Sequence, residues 1–203
     1  MTRDRWQFDD ADSDHGGHRH VPTPPVNADL GDWSGPRYST LPLPAFRFLP
    51  GRDAQPESSH LPAFDLPSAD PTDWRYCAPY LYAVDCFNHG FWWEAASLWA
   101  GLAAGTDPND ADHHCLNGLT RAAEALLRRR MGWRSSVARL RLETERAFAR
   151  VPEATLTGLQ PATWWPSLDR CLRPGGVDFP RLELDGPSSE SQENAQYCID
   201  GRK

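Results

Sequence analysis

Residues 81–99 read LYAVDCFNHGFWWEAASLW, and this stretch decides the fold. Apolar residues recur at the spacing of one helical face on both sides of a break, Leu81, Val84 and Phe87 before it and Trp92, Ala95 and Trp99 after it. Gly90 lies at the break, where a positive φ ends a helix at little cost. The stretch therefore predicts two amphipathic helices joined by a tight turn over 88–90.

Apolar periodicity and capping residues predict four main helices, at about 73–88, 91–103, 113–130 and 135–150. Asp73, Asp112 and Ser135 are the side chains expected to cap three of them. Pro79 is an alternative start for the first helix, because proline is favoured in a first helical turn. A shorter helix around Trp164 is expected to close one end of the bundle.

The sequence that follows the Gly90 turn is partly repeated after Gly132. Apolar residues follow both glycines at the same spacing, Ala95 and Leu98 after the first and Val137 and Leu140 after the second. No third copy exists, which argues against a solenoid. The predicted fold class is all-α, a small bundle of two packed helical hairpins with about four to five helices, a Pro-rich extended strap and disordered tails.

Composition divides the chain into four regions. They are a disordered acidic, Pro-rich tail (1–40), an extended Pro-rich strap (41–72), the helical bundle domain (73–186) and a second disordered tail (187–203). Proline recurs too often in the strap for a helix to form there. Phe46 and Phe48 make the strap too apolar for a free linker, so we expect it to lie across the helices. A Pro-rich ligand for a partner's groove is the alternative, and it needs those aromatic rings exposed.

Cysteine usage and hydropathy indicate the cellular compartment in which the protein is expected. Its five cysteines form no C-x-x-C pair, which argues against a zinc ribbon or a disulfide scaffold and favours reduced thiols. No apolar stretch approaches the roughly 20 residues needed to span a bilayer. The N-terminal residues lack the apolar run of a signal peptide. We therefore expect a cytoplasmic protein with no membrane partner.

Asp85, Asn88 and Glu94 form a candidate polar cluster beside the Gly90 turn. Two neighbouring carboxylates can raise each other's pKa and act as acid and base, or bind a metal ion with a nearby histidine. The favoured alternative is structural, with the carboxylates accepting turn amides and Asn88 ending the helix. No nucleotide-binding or nucleophile motif is present, so we predict no catalytic residue, cofactor or metal site.

Charge is unevenly distributed along the chain. Residues 121–150 hold nine Arg and three Glu, a net of +6, whereas the remainder carries −13. Four arginines of this hairpin are candidate anion-binding residues: Arg128, Arg129, Arg130 and Arg134. The alternative is a solvated face whose arginines pair with Glu124, Glu143 and Glu145. The sequence pI near 5.4 argues against nucleic acid.

Three stretches carry a family resemblance. They are PLPAFRFLPG (42–51), YLYAVDCFNHGFWWEAASLW (80–99) and LNGLTRAAEALLRRRMG (116–132). In this order they resemble the motifs of the long form of the bacterial "domain of unknown function 309" family, and the match covers 42–152. The resemblance implies a small all-helical bundle and no established activity.

The chain departs from that family where the family is most polar. Relatives carry His and Glu on the second helix and two Gln on the third, whereas this chain has Ala96, Ser97, Ala100, Asn117 and Arg121. The resemblance therefore implies a divergent member, and favours a non-enzymatic binding or scaffolding module whose partner is unknown, either another protein or a second copy. The alternatives are a metal-assisted hydrolase using Asp85, Glu94 and a histidine, and an anion or nucleic-acid binder using the Arg-rich hairpin.

Overall fold

Five α-helices pack together in the part of the chain that the structure describes. The computed structural model describes residues 34–57, 60–66, 73–152, 158–176 and 179–184. The helices are α1 (Ala78–Asn88), α2 (Trp92–Ala103), α3 (Ala111–Arg130), α4 (Arg134–Phe148) and α5 (Pro161–Leu172). These described ranges contain no β-strand. The predicted all-α class is confirmed, while most residues of the two predicted tails lie outside the described ranges.

The corner between α1 and α2 is closed by backbone hydrogen bonds around Gly90. Gly90 has a φ of 78°, and its N–H donates to the Phe87 carbonyl over 3.0 Å. The next residue, Phe91, donates to the Cys86 carbonyl over 2.8 Å. This pair of bonds is the Schellman motif, which pairs the last carbonyls of α1 and turns the chain directly into α2.

The corner between α3 and α4 repeats this geometry. Gly132 has a φ of 81°, and its N–H donates to the Arg129 carbonyl over 3.0 Å. Trp133 donates to the Arg128 carbonyl, also over 3.0 Å. The sequence repeat at Gly90 and Gly132 therefore corresponds to the same turn geometry in the structure, with an aromatic residue after each glycine.

The helix starts differ from the predicted ones. Asp73, Asp112 and Ser135 are not N-caps, because the helices that they were expected to cap begin after Cys77, Asp110 and Trp133. None of these three N-cap residues makes a side-chain capping bond. At α4 the physical reason is the glycine corner, since the residue that completes the Schellman motif is itself the N-cap of the next helix.

The helices pack in the order of the chain. α1 lies against α2, α2 against α3 and α3 against α4, and α5 lies across α3 and α4 as the predicted short closing helix. Trp99 and Phe87 are fully buried between the helices, with ring centroids 5.6 Å apart. α3 and α4 approach closely at Gly118, where an added Cβ would lie 2.3 Å from the ring of Phe148.

The described part of the strap covers the α1–α2 hairpin without forming an α-helix or a strand. Phe48 and Leu49 are buried, and Phe64 packs on Tyr82 with ring centroids 5.8 Å apart. Phe46 remains nearly half exposed. Contact with α1 begins before residue 41, so residues 37–39, which composition assigned to the tail, lie with the strap.

Among the described residues, no helix combines the length and the apolar character that crossing a bilayer requires.

Candidate functional site

The three polar residues predicted beside the Gly90 turn are the most deeply buried polar groups of the α1–α2 hairpin. Asp85, Asn88 and Glu94, which we call the polar trio, have relative exposures of 1%, 0% and 0%. Burial of this kind requires hydrogen-bond partners. In each case those partners include backbone groups of an extended segment of the same chain.

Asp85 holds the start of the strap. The backbone N–H groups of Tyr38 and Ser39 donate to its two carboxylate oxygens, each over 2.9 Å. The Arg37 guanidinium lies 3.3 Å from Oδ2 and is partly open to solvent. Burial raises the pKa of Asp85, and the amides of Tyr38 and Ser39 and the Arg37 charge oppose that shift. The carboxylate therefore fixes the position where the strap meets α1.

Glu94 holds two later parts of the strap. The Phe48 N–H donates to Oε1 over 3.0 Å, and Nε2 of His60 lies 2.7 Å from the same oxygen. Oε2 is buried and has no hydrogen-bond partner among the described residues. Burial raises the pKa of Glu94, opposed by hydrogen bonds from Phe48 and His60. Glu94 therefore joins α2 to two separate points of the strap.

Asn88 holds a segment that follows α5. Its side-chain amide donates to the Leu182 carbonyl over 2.8 Å and accepts the Leu182 N–H over 2.7 Å. Both hydrogen bonds are buried. Beside them, Arg181 donates to the backbone carbonyl of Asn88, and Arg47 donates to that of His89 over 3.0 Å. Two arginines therefore satisfy carbonyls at the C-terminus of α1, where positive charge is favourable.

The structural alternative predicted that Asp85 and Glu94 bind the amides of the Gly90 turn. In the structure they bind amides of the strap instead. The turn amides bond to backbone carbonyls, as the N–H groups of Gly90 and Phe91 show. The two carboxylates are therefore left to bind the strap. The only histidine paired with either carboxylate in the described residues is His60, which the sequence did not single out. His113 bonds instead to Thr106 and to the Ala103 carbonyl.

No group of three or more His, Cys, Asp or Glu side chains in the described ranges is arranged to hold a metal ion. Asp85 and Glu94 bind different parts of the strap, and in the described part of the chain the imidazole of His60 is hydrogen-bonded to Glu94. The arrangement therefore supplies a carboxylate–imidazole pair sealed from solvent, with side-chain exposures of 6% for His60 and 0% for Glu94.

We expect Glu94 to make the stability of the protein depend on pH. Its pKa in the folded chain lies above the ordinary value near 4.5, so the folded state binds the proton more tightly than the unfolded state. Stability from this group is therefore complete below about pH 4.5 and falls as pH rises through the folded pKa. Glu94→Gln is neutral at every pH, so its free energy of unfolding, measured in urea, should rise relative to wild type over that window.

His60 is hydrogen-bonded to Glu94 and therefore needs its own control. The same pair of proteins is compared in a His60→Gln background, which keeps an N–H donor near Glu94 and removes the imidazole ring. A difference in stability between the Glu94 protein and its Glu94→Gln variant that stays constant with pH would show that burial does not shift the pKa of this carboxyl.

The four arginines predicted as anion-binding residues do not share one surface. The Arg128 guanidinium lies over the ring of Trp133 at 4.5 Å, and Arg130 lies 5.9 Å from the ring of Trp92. Arg129 and Arg134 line a groove between the α3–α4 corner and the end of α5. Of the four predicted arginines, Arg129 and Arg134 therefore lie together in this groove, and Arg128 and Arg130 do not line it.

The groove, which we call the arginine groove, has a volume of about 790 Å³. Four arginines line it: Arg129, Arg134, Arg141 and Arg173. Arg173 follows α5 and was missed by the sequence, since it lies outside the Arg-rich hairpin. The alternative prediction, arginines paired with glutamates on a solvated face, applies to other arginines of the hairpin. Arg121 pairs with Glu124 at 2.8 Å, and Arg139 pairs with Glu143 at 2.9 Å.

The face of α2 that holds Ala96, Ser97 and Ala100 carries small side chains and is largely closed. Ala96 is fully buried, and the Ser97 hydroxyl donates to the Trp93 carbonyl over 2.8 Å. Leu66 of the strap crosses the same helix at Gly101, where an added Cβ would lie 2.4 Å from its side chain. These positions present no acid or imidazole.

No protein family model matches the chain, and no curated protein or solved structure is significantly similar to it. The resemblance to the domain of unknown function 309 family therefore stays a prediction.

Proposed function

We propose that this chain is a non-catalytic binding module, in which the α1–α2 hairpin serves to hold the extended segments of the chain. The observation that carries the proposal is the occupancy of the polar trio by the chain's own backbone. A general acid or base has to reach a proton of the substrate, within hydrogen-bond distance or through one water. Carboxylates sealed under the strap have no such access in this conformation.

The predicted family membership belongs to this proposal. As a divergent member, the chain has lost the His and Glu positions that relatives keep on the second helix. The packing around Ala96 and Ser97 supports that interpretation, since a buried alanine and a hydroxyl bonded within its own helix offer nothing to a substrate. The ligand of such a module is a protein partner or a second copy of the chain.

A cytoplasmic location is also part of the proposal. The four cysteines in the described residues, Cys77, Cys86, Cys115 and Cys171, are all buried. Burial raises the pKa of the Cys86 thiol well above its ordinary value, which keeps it protonated and unreactive. A buried, protonated thiol of this kind is typical of proteins in a reducing compartment.

The experiment compares wild type with Glu94→Gln in hydrolysis assays. Chromogenic carboxyl esters, phosphate esters and peptides are supplied with added Zn²⁺, Mn²⁺ or Fe²⁺, and bound metal is measured by mass spectrometry. We expect no turnover above the buffer blank and no stoichiometric metal in either protein. Turnover by the wild type would overturn the proposal. If a folded Glu94→Gln variant loses that turnover, the metal-assisted hydrolase using Asp85, Glu94 and His60 replaces it.

A second candidate, anion binding through the Arg-rich hairpin 121–150, is favoured by one observation. Arg129 and Arg134 of that hairpin line a groove together with Arg173, and no acidic residue is among the lining residues. This candidate is compatible with a non-catalytic module.

A further inference from the structure

The arginine groove concentrates positive charge on an acidic protein. Four guanidinium groups line it, while the whole chain carries a net charge of −7. Of these groups, the Arg134 side chain is exposed and makes no hydrogen bond or ion pair within the described residues. Arginines grouped without an equal number of acids attract anions, and each guanidinium offers five N–H donors in a planar fork.

Three of the four arginines are held in place by other groups. Asp169 lies between Arg141 and Arg173, and its Oδ2 is 2.7 Å from Nη2 of Arg173. Burial alone would raise the pKa of Asp169, but the hydrogen bonds from Arg173 and Arg141 outweigh it and the net shift is downward. Arg129 donates to the carbonyls of Cys171 and Gly176. The guanidinium groups are therefore fixed before a ligand arrives, which lowers the entropy lost on binding.

The floor of the groove is apolar. Val137 and Leu172 are buried beneath it, and Ala138 and Pro174 lie exposed along it. Its volume of about 790 Å³ falls within the range of small-molecule sites, roughly 300–1,000 Å³. A cationic rim over an apolar floor complements a ligand that has both an acidic group and an apolar body.

We propose that the arginine groove binds a small amphiphilic anion, a molecule with a phosphate or carboxylate headgroup and an apolar body. The inference rests on the second candidate of the proposed function, anion binding through the Arg-rich hairpin, because it names the class of anion that binds there. Arg134 and its three fixed neighbours bind the headgroup, and Val137 and Leu172 contact the apolar body. A second cavity, along α5, is lined by charges of both signs, with Arg170, Arg181 and Glu183 among its residues.

The test measures binding of octyl phosphate to the full chain by isothermal titration calorimetry, below the critical micelle concentration. Inorganic phosphate lacks the apolar body, and octyl glucoside lacks the charge. We expect octyl phosphate to bind roughly 10–100-fold more tightly than inorganic phosphate. This is the gain from burying about two to three of its methylenes, at about fourfold for each. Octyl glucoside should bind at least about 10-fold more weakly than octyl phosphate. Octanoate in place of octyl phosphate distinguishes a carboxylate ligand from a phosphate ligand.

Two pairs of variants locate the binding site. Arg134→Gln should weaken octyl phosphate binding by roughly 10-fold, as expected for one charge-assisted contact. Arg146→Gln, on the same helix and outside the groove, removes the same charge and should leave affinity unchanged. Ala138→Glu places a carboxylate among the arginines and should abolish binding, whereas Ala138→Gln adds similar bulk without charge and should retain most of it. Ala138 is exposed, so both variants are expected to fold.

Equal affinity for inorganic and octyl phosphate would overturn the inference, and so would binding that Arg146→Gln weakens as much as Arg134→Gln. Absence of binding to the wild type would also overturn it. That last result leaves the non-catalytic role untouched, because that role fails only if the wild type turns over a substrate.

Discussion

Replacing Asp85 with alanine is expected to lower the free energy of unfolding by roughly 2–5 kcal/mol, the cost of leaving two enclosed backbone donors unpaired. The N–H groups of Tyr38 and Ser39 both point at this carboxylate over 2.9 Å. Tyr38 is itself buried, so water cannot replace the lost acceptor there. The Arg37 ion pair adds little, because its side chain is 36% exposed and can turn to solvent.

Asp85→Asn is the matched control for that loss. Asparagine keeps the shape of the side chain and one oxygen for the Tyr38 N–H, but its amide group then faces the Ser39 N–H and Arg37. We therefore expect about half of the destabilisation of alanine, measured by urea unfolding. Faster hydrogen exchange at the Tyr38 amide should accompany both losses. An alanine variant as stable as wild type would show that the strap does not depend on this carboxylate.

The helical hairpins could be predicted from the sequence because their signals are local. Apolar residues repeat at helical spacing around Gly90 and Gly132, and a glycine of positive φ is one of the few ways to end a helix within three residues. The structure confirms the pairing of helices and the closing helix at Trp164. The predicted helix starts were wrong at Asp73, Asp112 and Ser135. α1 begins with a proline in its first turn and α4 begins at the glycine corner, whereas α3 begins two residues before the predicted position.

The partners of the buried polar groups could not be predicted. Asp85 and Asn88 bind backbone amides and carbonyls, which every residue possesses and no sequence pattern marks. Only the fold brings residues 37–39 and Leu182 beside α1. His60 was missed for a similar reason, since a single histidine in a Pro-rich segment gives no sign that it faces Glu94.

The arginines that line the groove were only partly predicted from the charge along the sequence. Charge density along 121–150 pointed to the α3–α4 hairpin, but neighbouring residues on a helix face different directions. Arg128 and Arg130 consequently stack on Trp133 and Trp92, while Arg173 joins the groove from beyond α5. Sequence proximity identified the region, whereas the packing of α5 on α4 decides which arginines line the groove.

Replacing Asn88 with alanine is expected to lower the free energy of unfolding by roughly 2–6 kcal/mol, because one donor and one acceptor are left unpaired. The side-chain amide forms two buried hydrogen bonds with the backbone of Leu182, at 2.8 and 2.7 Å. A folded domain has only about 5–15 kcal/mol of stability in total. The variant is therefore expected to unfold at much lower urea concentration, and trypsin should cleave more readily after Arg181 because its segment loses its hold on α1.

Asn88→Asp separates the donor from the acceptor. Its carboxylate still accepts the Leu182 N–H, but its second oxygen then faces the Leu182 carbonyl, where two acceptors repel each other. Burial makes that repulsion costly, because Asn88 has no exposed surface through which water could intervene. We expect Asp to destabilise nearly as much as alanine at neutral pH and to recover part of the loss in acid, when a protonated carboxyl can donate to that carbonyl. If Asp is tolerated at neutral pH, the amide donor of Asn88 does not hold the Leu182 segment, and the segment is fixed by its apolar contacts instead.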